Sequence, residues 1–374
     1  MTTTADALPD ERPRLPADPE LRGGVAILGA GGIAQSAHLP AYAGHGIGVV
    51  GVWSRSAERT AQIPSAFPQV GRVYRSAEEL LEDPRVRIVD IATPAAGRMA
   101  WVERAIEAGK HVLAQKPLTT DPAELDALPA LLDRARARGL RVAVNQNGRW
   151  APPWRMATLL LRRGAIGEVV GVTHLHDKPL PPLVGTPFDD LDHMLITDYL
   201  MHWIDITRTW LDPATVVSAW ATDSRTPGQP AAARNPWSAT VALGCDTGAT
   251  ASLRIVGDAR ATRPSCPFWI HGTDGTLRGS VLVGSDRLEL DRDGEITSLP
   301  LRGQWFVDGF AGTMGELMCA IAEDREPENS AAHAATSVRI MLAARDSADR
   351  AGSAVAVMGP AGPTGPAQAG GGGA

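Results

Sequence analysis

Val25-Ala26-Ile27-Leu28-Gly29-Ala30-Gly31-Gly32-Ile33-Ala34 is the stretch that decides the fold. Four apolar residues run into a glycine, as a buried parallel strand does. The glycines follow as G-x-G-x-x-A, with Ala34 in the third place, and a helix-like run comes next. Gly29 permits a tight turn, and Gly31 lets the backbone approach a pyrophosphate. The helix start beyond Gly32, Ile33 and Ala34 offers free N–H groups and a favourable dipole. A glycine-rich turn without a ligand would read similarly, but a strand before it and a helix after it are the context of a dinucleotide loop.

Outward from this loop the first half of the chain alternates strand and helix. Apolar runs recur at 47–53, 88–92, 111–114 and 141–145, with helical stretches at 98–108 and 122–138. That rhythm predicts a doubly wound parallel sheet, an α/β Rossmann domain over 23–146. Beyond Asn147 the rhythm changes. A helix (154–163), a strand (168–176), a Pro-rich loop from Lys178 and a helix (195–210) lead into strands at 216–220, 239–243, 250–255, 267–271, 276–282 and 287–290. Short connections imply an antiparallel sheet. Helices at 305–323 and 331–350 complete an α+β domain over 147–357 with a large, mostly antiparallel open sheet. Residues 1–22 and 358–374 read as a disordered arm and a Gly/Pro/Ala tail.

At 374 residues the chain is long enough for two such domains. A net charge of -6 argues against nucleic acid as a partner. No apolar run approaches the roughly 20 residues of a membrane span, and the acidic, Pro-rich start is no signal peptide, so a cytoplasmic protein is expected. The cysteines Cys245, Cys266 and Cys319 form no C-x-x-C pair, and no metal site is expected.

The second apolar run ends in Val52-Trp53-Ser54-Arg55. NAD-specific sites have an acid here for the ribose hydroxyls. A hydroxyl and a guanidinium suit a 2′-phosphate instead, so NADP is favoured over NAD. Lysine occurs only at Lys110, Lys116 and Lys178. Lys116 follows the fourth strand, at the end where open α/β sheets bind ligands, and could favour negative charge on a substrate oxygen. Asp198 and His202 stand i and i+4 on a predicted helix, with Asp205 on roughly the same face. A carboxylate beside an imidazole supports a general base near neutral pH, and hence activity that rises with pH there.

Further segments carry a resemblance. They are Ala37-His38-Leu39-Pro40, Ile91-Ala92-Thr93-Pro94, Glu107 to Leu113 ahead of Gln115-Lys116-Pro117, Gly164 to Val169, and the Asp198/His202 spacing. Together with the glycine loop they resemble the Gfo/Idh/MocA oxidoreductases over about 25–357. The resemblance implies hydride transfer between a nicotinamide and a secondary alcohol or ketone of a sugar, inositol, polyol or derivative. It implies Lys116, Asp198 and His202 as the catalytic residues, with Asp198 orienting a substrate hydroxyl or the imidazole. Arg59, Thr93, Pro94, Gln115, Lys116 and Pro117 join Ser54 and Arg55 around the cofactor. Asn147, Arg149, His174, His176 and His193 are candidate hydroxyl binders. Gln115 stands where the family has Glu, which takes a counter-charge from beside Lys116. Leu195-Ile196-Thr197 replaces the family's glycines, and the 178–193 loop is particular to this chain.

Two other readings keep the fold. One is a non-catalytic redox sensor, and the other an enzyme that uses bound cofactor for internal redox, elimination or epimerisation. A short-chain dehydrogenase is excluded, because none of Tyr42, Tyr74 and Tyr199 has a Lys four residues later. The uncovered sheet face predicts a homodimer or homotetramer.

Overall fold

The computed structural model describes residues 8–282, 284 and 286–359. Strands β1 (Val25–Leu28), β2 (Val49–Trp53), β3 (Ile88–Ile91), β4 (His111–Gln115) and β5 (Val142–Asn145) form a parallel sheet ordered β2-β1-β3-β4-β5. β1, β3 and β5 are buried at every position, because helices cover both faces. After β2 the chain returns across β1 to form β3. The topological switch, and with it the ligand crevice, therefore lies at the carboxyl ends of β1 and β3.

The second sheet has nine strands. β6 (Val169–His176), β7 (Val216–Ser224), β8 (Ser238–Cys245), β9 (Thr250–Val256) and β10 (Pro267–Gly272) supply most of it. β11 (Thr276–Ser280), β12 (Arg287–Arg292), β13 (Glu295–Leu299) and β14 (Val355–Ala356) complete the order β13-β12-β11-β10-β6-β9-β8-β7-β14. The β6–β9 pair is parallel and the others are antiparallel. Residues along β8 alternate between buried and half-buried, the pattern of a sheet with one covered face. β13 escapes sequence reading because it is an exposed edge without alternation. It pairs through an Asp293-Gly294 turn whose φ values are both positive, 55° and 80°.

Two expectations are corrected. Residues 8–22 are not a loose arm. Glu11 is buried and accepts a hydrogen bond from the Arg302 backbone N–H (2.8 Å), and Pro19–Gly23 is a short helix capped by Asp18. Gly315 is required where this arm passes, since a Cβ there would lie 2.1 Å from the Arg14 carbonyl oxygen. The tail, apart from Met358 and Gly359, lies outside the described residues. The sequence pattern groups the helix Trp305–Ala322 with the second domain. It packs instead on the parallel sheet, its Phe310, Ala311, Met314, Leu317 and Met318 sharing a core with Val25, Ile27, Val49 and Ala143. The physical reason is coverage. The parallel sheet needs apolar cover on both faces, and this helix of small and apolar residues supplies part of it.

Candidate active site

The site forms at the carboxyl ends of the parallel strands. Gly29 has φ +116°, and a Cβ there would meet the Ala92 backbone at 2.9 Å, so the close approach of the β1 and β3 ends requires glycine. At Gly31 and Gly32 a Cβ would meet nothing within 4 Å. Open space therefore lies in front of a helix that runs as a π-turn over Ala34–His38 and continues as an α-helix over Leu39–His45. A pyrophosphate fits there, with backbone N–H groups as donors. Gln35 Nε2 braces the loop through the Ala30 carbonyl (2.9 Å). Past β2, Arg55 and Arg59 are exposed, and Ser56 caps the next helix through the Arg59 N–H. No carboxylate occupies the positions from Val52 to Ala57.

Lys116 is held from several sides. Its own N–H donates to Gln115 Oε1 (2.8 Å). The flanking carbonyls of Gln115 and Pro117 both accept from Arg98, which also reaches the Thr93 carbonyl. Burial pulls the Arg98 guanidinium down to about 10, where it remains charged at neutral pH. Arg98 thus clasps the ends of β3 and β4 around the lysine. In the sequence it marks only a helix start, and no sequence signal marks a side chain whose targets are carbonyls. Pro94 is exposed at the same rim.

Lys116 Nζ donates to both Asp198 Oδ2 and the Asp198 carbonyl, each at 3.1 Å. This bears on two expectations. The counter-charge of the lysine is Asp198, so an amide at 115 does not leave it unpaired. Asp198 serves the lysine rather than the imidazole, because its segment, Leu195–Tyr199, is a π-turn ahead of the α-helix Met201–Leu211. The extra residue of a π-turn shifts facing directions from the i, i+4 register.

His202 lies on the first turn of that helix. Burial and the nearby Lys116 cation push its imidazole well below its ordinary value, so it is neutral at neutral pH. The expected titration near neutrality is therefore displaced to acid. Its Nδ1 is buried, and a Cβ at Gly148 would come within 3.4 Å of it. Trp305 stands edge-on to the ring at 5.3 Å and donates its Nε1–H to Asn147 Oδ1 (2.7 Å). Asn147 is thereby brought beside the site, but as a support for Trp305, with its Nδ2 on the Asn145 carbonyl (3.3 Å).

The other hydroxyl-binder candidates are engaged elsewhere. Arg149 is buried in a two-pronged pair with Asp205 (2.6 and 2.7 Å). Burial opposes ionisation of Asp205, yet Arg149 brings its carboxyl to about 2. His174 lies inside the aromatic core against Trp154, Trp210 and Phe268, and burial lowers it to about 3. His176, lowered to about 4 by burial and Lys178, meets the Tyr199 hydroxyl at 2.9 Å. His193 contacts Asp223 (2.8 Å) and Asp349 (3.0 Å) through its two nitrogens, and its carbonyl accepts from Ile196 and Thr197 at the start of the π-turn. Lys110 is structural, donating to the carbonyls of Asp83 and Val86. Among the described residues no group of three or more His, Cys, Asp or Glu could hold a metal ion, and no helix is long and apolar enough to cross a membrane.

Comparison with known proteins agrees with this architecture. Residues 24–146 match the family model for the GFO/IDH/MocA oxidoreductases' NAD-binding Rossmann fold, and residues 154–278 match the GFO/IDH/MocA C-terminal domain. A D-apiose dehydrogenase of Paraburkholderia graminis is 29% identical over 281 residues, 73% of this chain and 71% of that one. A dTDP-3,4-didehydro-2,6-dideoxy-alpha-D-glucose 3-reductase of Actinomadura kijaniata is 35% identical over 146 residues, covering 39% of this chain and 42% of that one. An oxidoreductase of Agrobacterium radiobacter, solved with NAD+, L-tartaric acid and magnesium, shares the fold with a TM-score of 0.77 at 22% identity, over 90% of this chain and 98% of that one.

Proposed function

Since the chain belongs to the Gfo/Idh/MocA oxidoreductase family, a family of nicotinamide-dependent enzymes acting on sugar-like substrates, we propose that it interconverts a secondary alcohol and a ketone on a sugar, inositol or other polyol. The observation that carries this reading is the Lys116–Asp198 pair at 3.1 Å, at the carboxyl end of β4, with a neutral His202 alongside. The nicotinamide supplies the hydride acceptor or donor when bound.

The chain's own residues do the rest. Gly29, Gly31 and Gly32 with the helix start would hold the pyrophosphate. Ser54, Arg55 and Arg59 would receive a 2′-phosphate, so NADP is proposed as the preferred cofactor. Lys116 keeps one ammonium proton beyond its two bonds to Asp198. Donated to the reacting oxygen, it favours negative charge there. Asp198 fixes the lysine's charge and direction. His202 takes the hydroxyl proton during oxidation and returns it during reduction. The chain is also proposed to work as a homodimer or homotetramer, with the outer face of the nine-stranded sheet, where Trp220 and Ile296 are exposed, as the surface to be covered.

The test is absorbance at the reduced-nicotinamide band across sugars, inositols and their keto forms, with NADP and NAD in parallel. Turnover with a polyol or its ketone is the expected outcome. Cofactor binding without turnover on any of them would favour a sensor.

A further inference from the structure

The amide at position 115 belongs to a buried chain of polar groups that the proposed chemistry does not use. His38, fully buried on the π-turn behind the glycine loop, places Nδ1 2.6 Å from Asp90 Oδ2, and Tyr42 donates its hydroxyl to the same oxygen (2.6 Å). His38 Nε2 faces the Gln115 amide nitrogen and the Asn145 amide nitrogen, each at 3.3 Å. The side chain of Gln115 is oriented by its own Oε1, which accepts the Lys116 N–H at 2.8 Å. Its NH2 is therefore the group turned to His38, and an NH2 only donates. His38 Nε2 has to accept, and the single ring proton sits on Nδ1, toward Asp90. One direction of donation then runs from Lys116 N–H through Gln115 and His38 to Asp90.

We infer that His38 and Gln115 are a positioning pair for Lys116, tying the helix of the glycine loop to the peptide that carries the catalytic cation. The pair joins the ends of β3, β4 and β5 through side chains with almost no access to water. Bonds there are not exchanged for water bonds, and leaving one member unpartnered is costly. The amide is specific to this arrangement. A carboxylate at 115 could still accept the Lys116 N–H, but its second oxygen would face the lone pair on His38 Nε2. Relief requires a second ring proton, and the chain of donors then reverses at that link. Glutamine at 115 is thus a different solution from the glutamate of the family motif, with an accepting histidine nitrogen at its centre.

The inference rests on Lys116 acting in the chemical step, and the experiment separates the two ideas. The full chain is labelled with isotopic histidine, and ring nitrogens are read by NMR at neutral pH in the wild type, in Gln115→Glu and in Gln115→Leu. The His38 signals are those missing from His38→Gln. Expected are a bare Nε2 and protonated Nδ1 in the wild type, and two protonated nitrogens in Gln115→Glu. Gln115→Leu should lower kcat between about 10- and 100-fold, as a small misplacement of a catalytic group does. Gln115→Glu, nearly the same in shape, should stay folded and recover part of that loss by accepting the Lys116 N–H again. A proton on Nε2 in the wild type would overturn the inference. So would folded Gln115→Leu with wild-type kcat in an enzyme that Lys116→Met inactivates. If Lys116→Met stays active, the catalytic reading fails, and the ring tautomers together with the Lys116 amide shift still decide the pair.

Discussion

One helical stretch carries two carboxylates seven residues apart, Asp198 and Asp205, and each holds a cation from beyond the helix. The pairs differ in every physical respect. Arg149 grips Asp205 with two nitrogens at 2.6 and 2.7 Å, Ser337 adds a third bond at 2.7 Å, and the two charged side chains are 4% and 2% exposed. Lys116 meets Asp198 through one nitrogen at 3.1 Å, and those side chains are 14% and 15% exposed. A planar fork against a carboxylate in a dry site leaves nothing over for a ligand. A point charge with a spare proton at the mouth of a crevice does. Both pairs look alike in a helical repeat, but one locks the helix to Arg149, just beyond β5, and the other keeps a proton free for chemistry.

The contrast is sharpened most by His202→Asn, which removes the titrating group and little volume. Turnover should fall by about 10²–10⁴-fold in protein that remains folded and binds cofactor. The wild-type pH profile tests the same residue. For oxidation the neutral imidazole is the working form, and burial with the Lys116 cation holds its pKa well below the usual histidine range. Activity should rise only as pH climbs through that acid value and show no histidine step near neutrality. A clear step there in the wild type, absent from His202→Asn, would contradict this electrostatic account.

Asp205→Asn should act on the other side of the comparison. It leaves Arg149 buried without a counter-charge, which costs about 3–5 kcal/mol. Denaturant midpoints should drop while turnover per folded molecule persists, and a variant of normal stability would break the contrast. Lys116→Met should leave stability near the wild type, because the pair it removes is solvent-touched, and lower kcat by about 10²–10³-fold, as loss of one donor to a developing oxyanion does. Equal losses of stability in these two variants would make both pairs structural. The smallest effect is at the cofactor. Arg55→Ala should weaken NADP binding by about 1.5–3 kcal/mol, read by titration, and leave NAD nearly unchanged. Equal losses for both would show that Arg55 does not read a 2′-phosphate.

Much of this was legible in advance where the signal is local. The glycine loop, the five parallel strands and the place of Lys116 at the end of β4 follow from motif and periodicity, and the structure sets Asp198 against that lysine. The partners of the hydroxyl-binder candidates were not legible. Arg149, His174 and His193 are polar and close in sequence to the site, yet a core pair, an aromatic packing site and a two-carboxylate contact hold them. Nothing local announces those partners, which lie 30 to 156 residues away for His193. The packing of the helix Trp305–Ala322 is hidden for the same reason. Its residues are apolar on most sides, so the sequence shows that it is buried without showing against what.

By itself the sequence determined the class of fold and the dinucleotide loop, and set Lys116 at a strand end, since these depend on short runs whose geometry neighbours in the chain dictate. Tertiary structure decided which carboxylate answers which cation, that the imidazole is neutral, that Trp305 backs it, and that the amide at 115 turns away from the lysine's charge toward His38. Each of these is a matter of burial and of distance between groups far apart in the chain. Desolvation and hydrogen-bond direction take their values only once the strands and helices are packed.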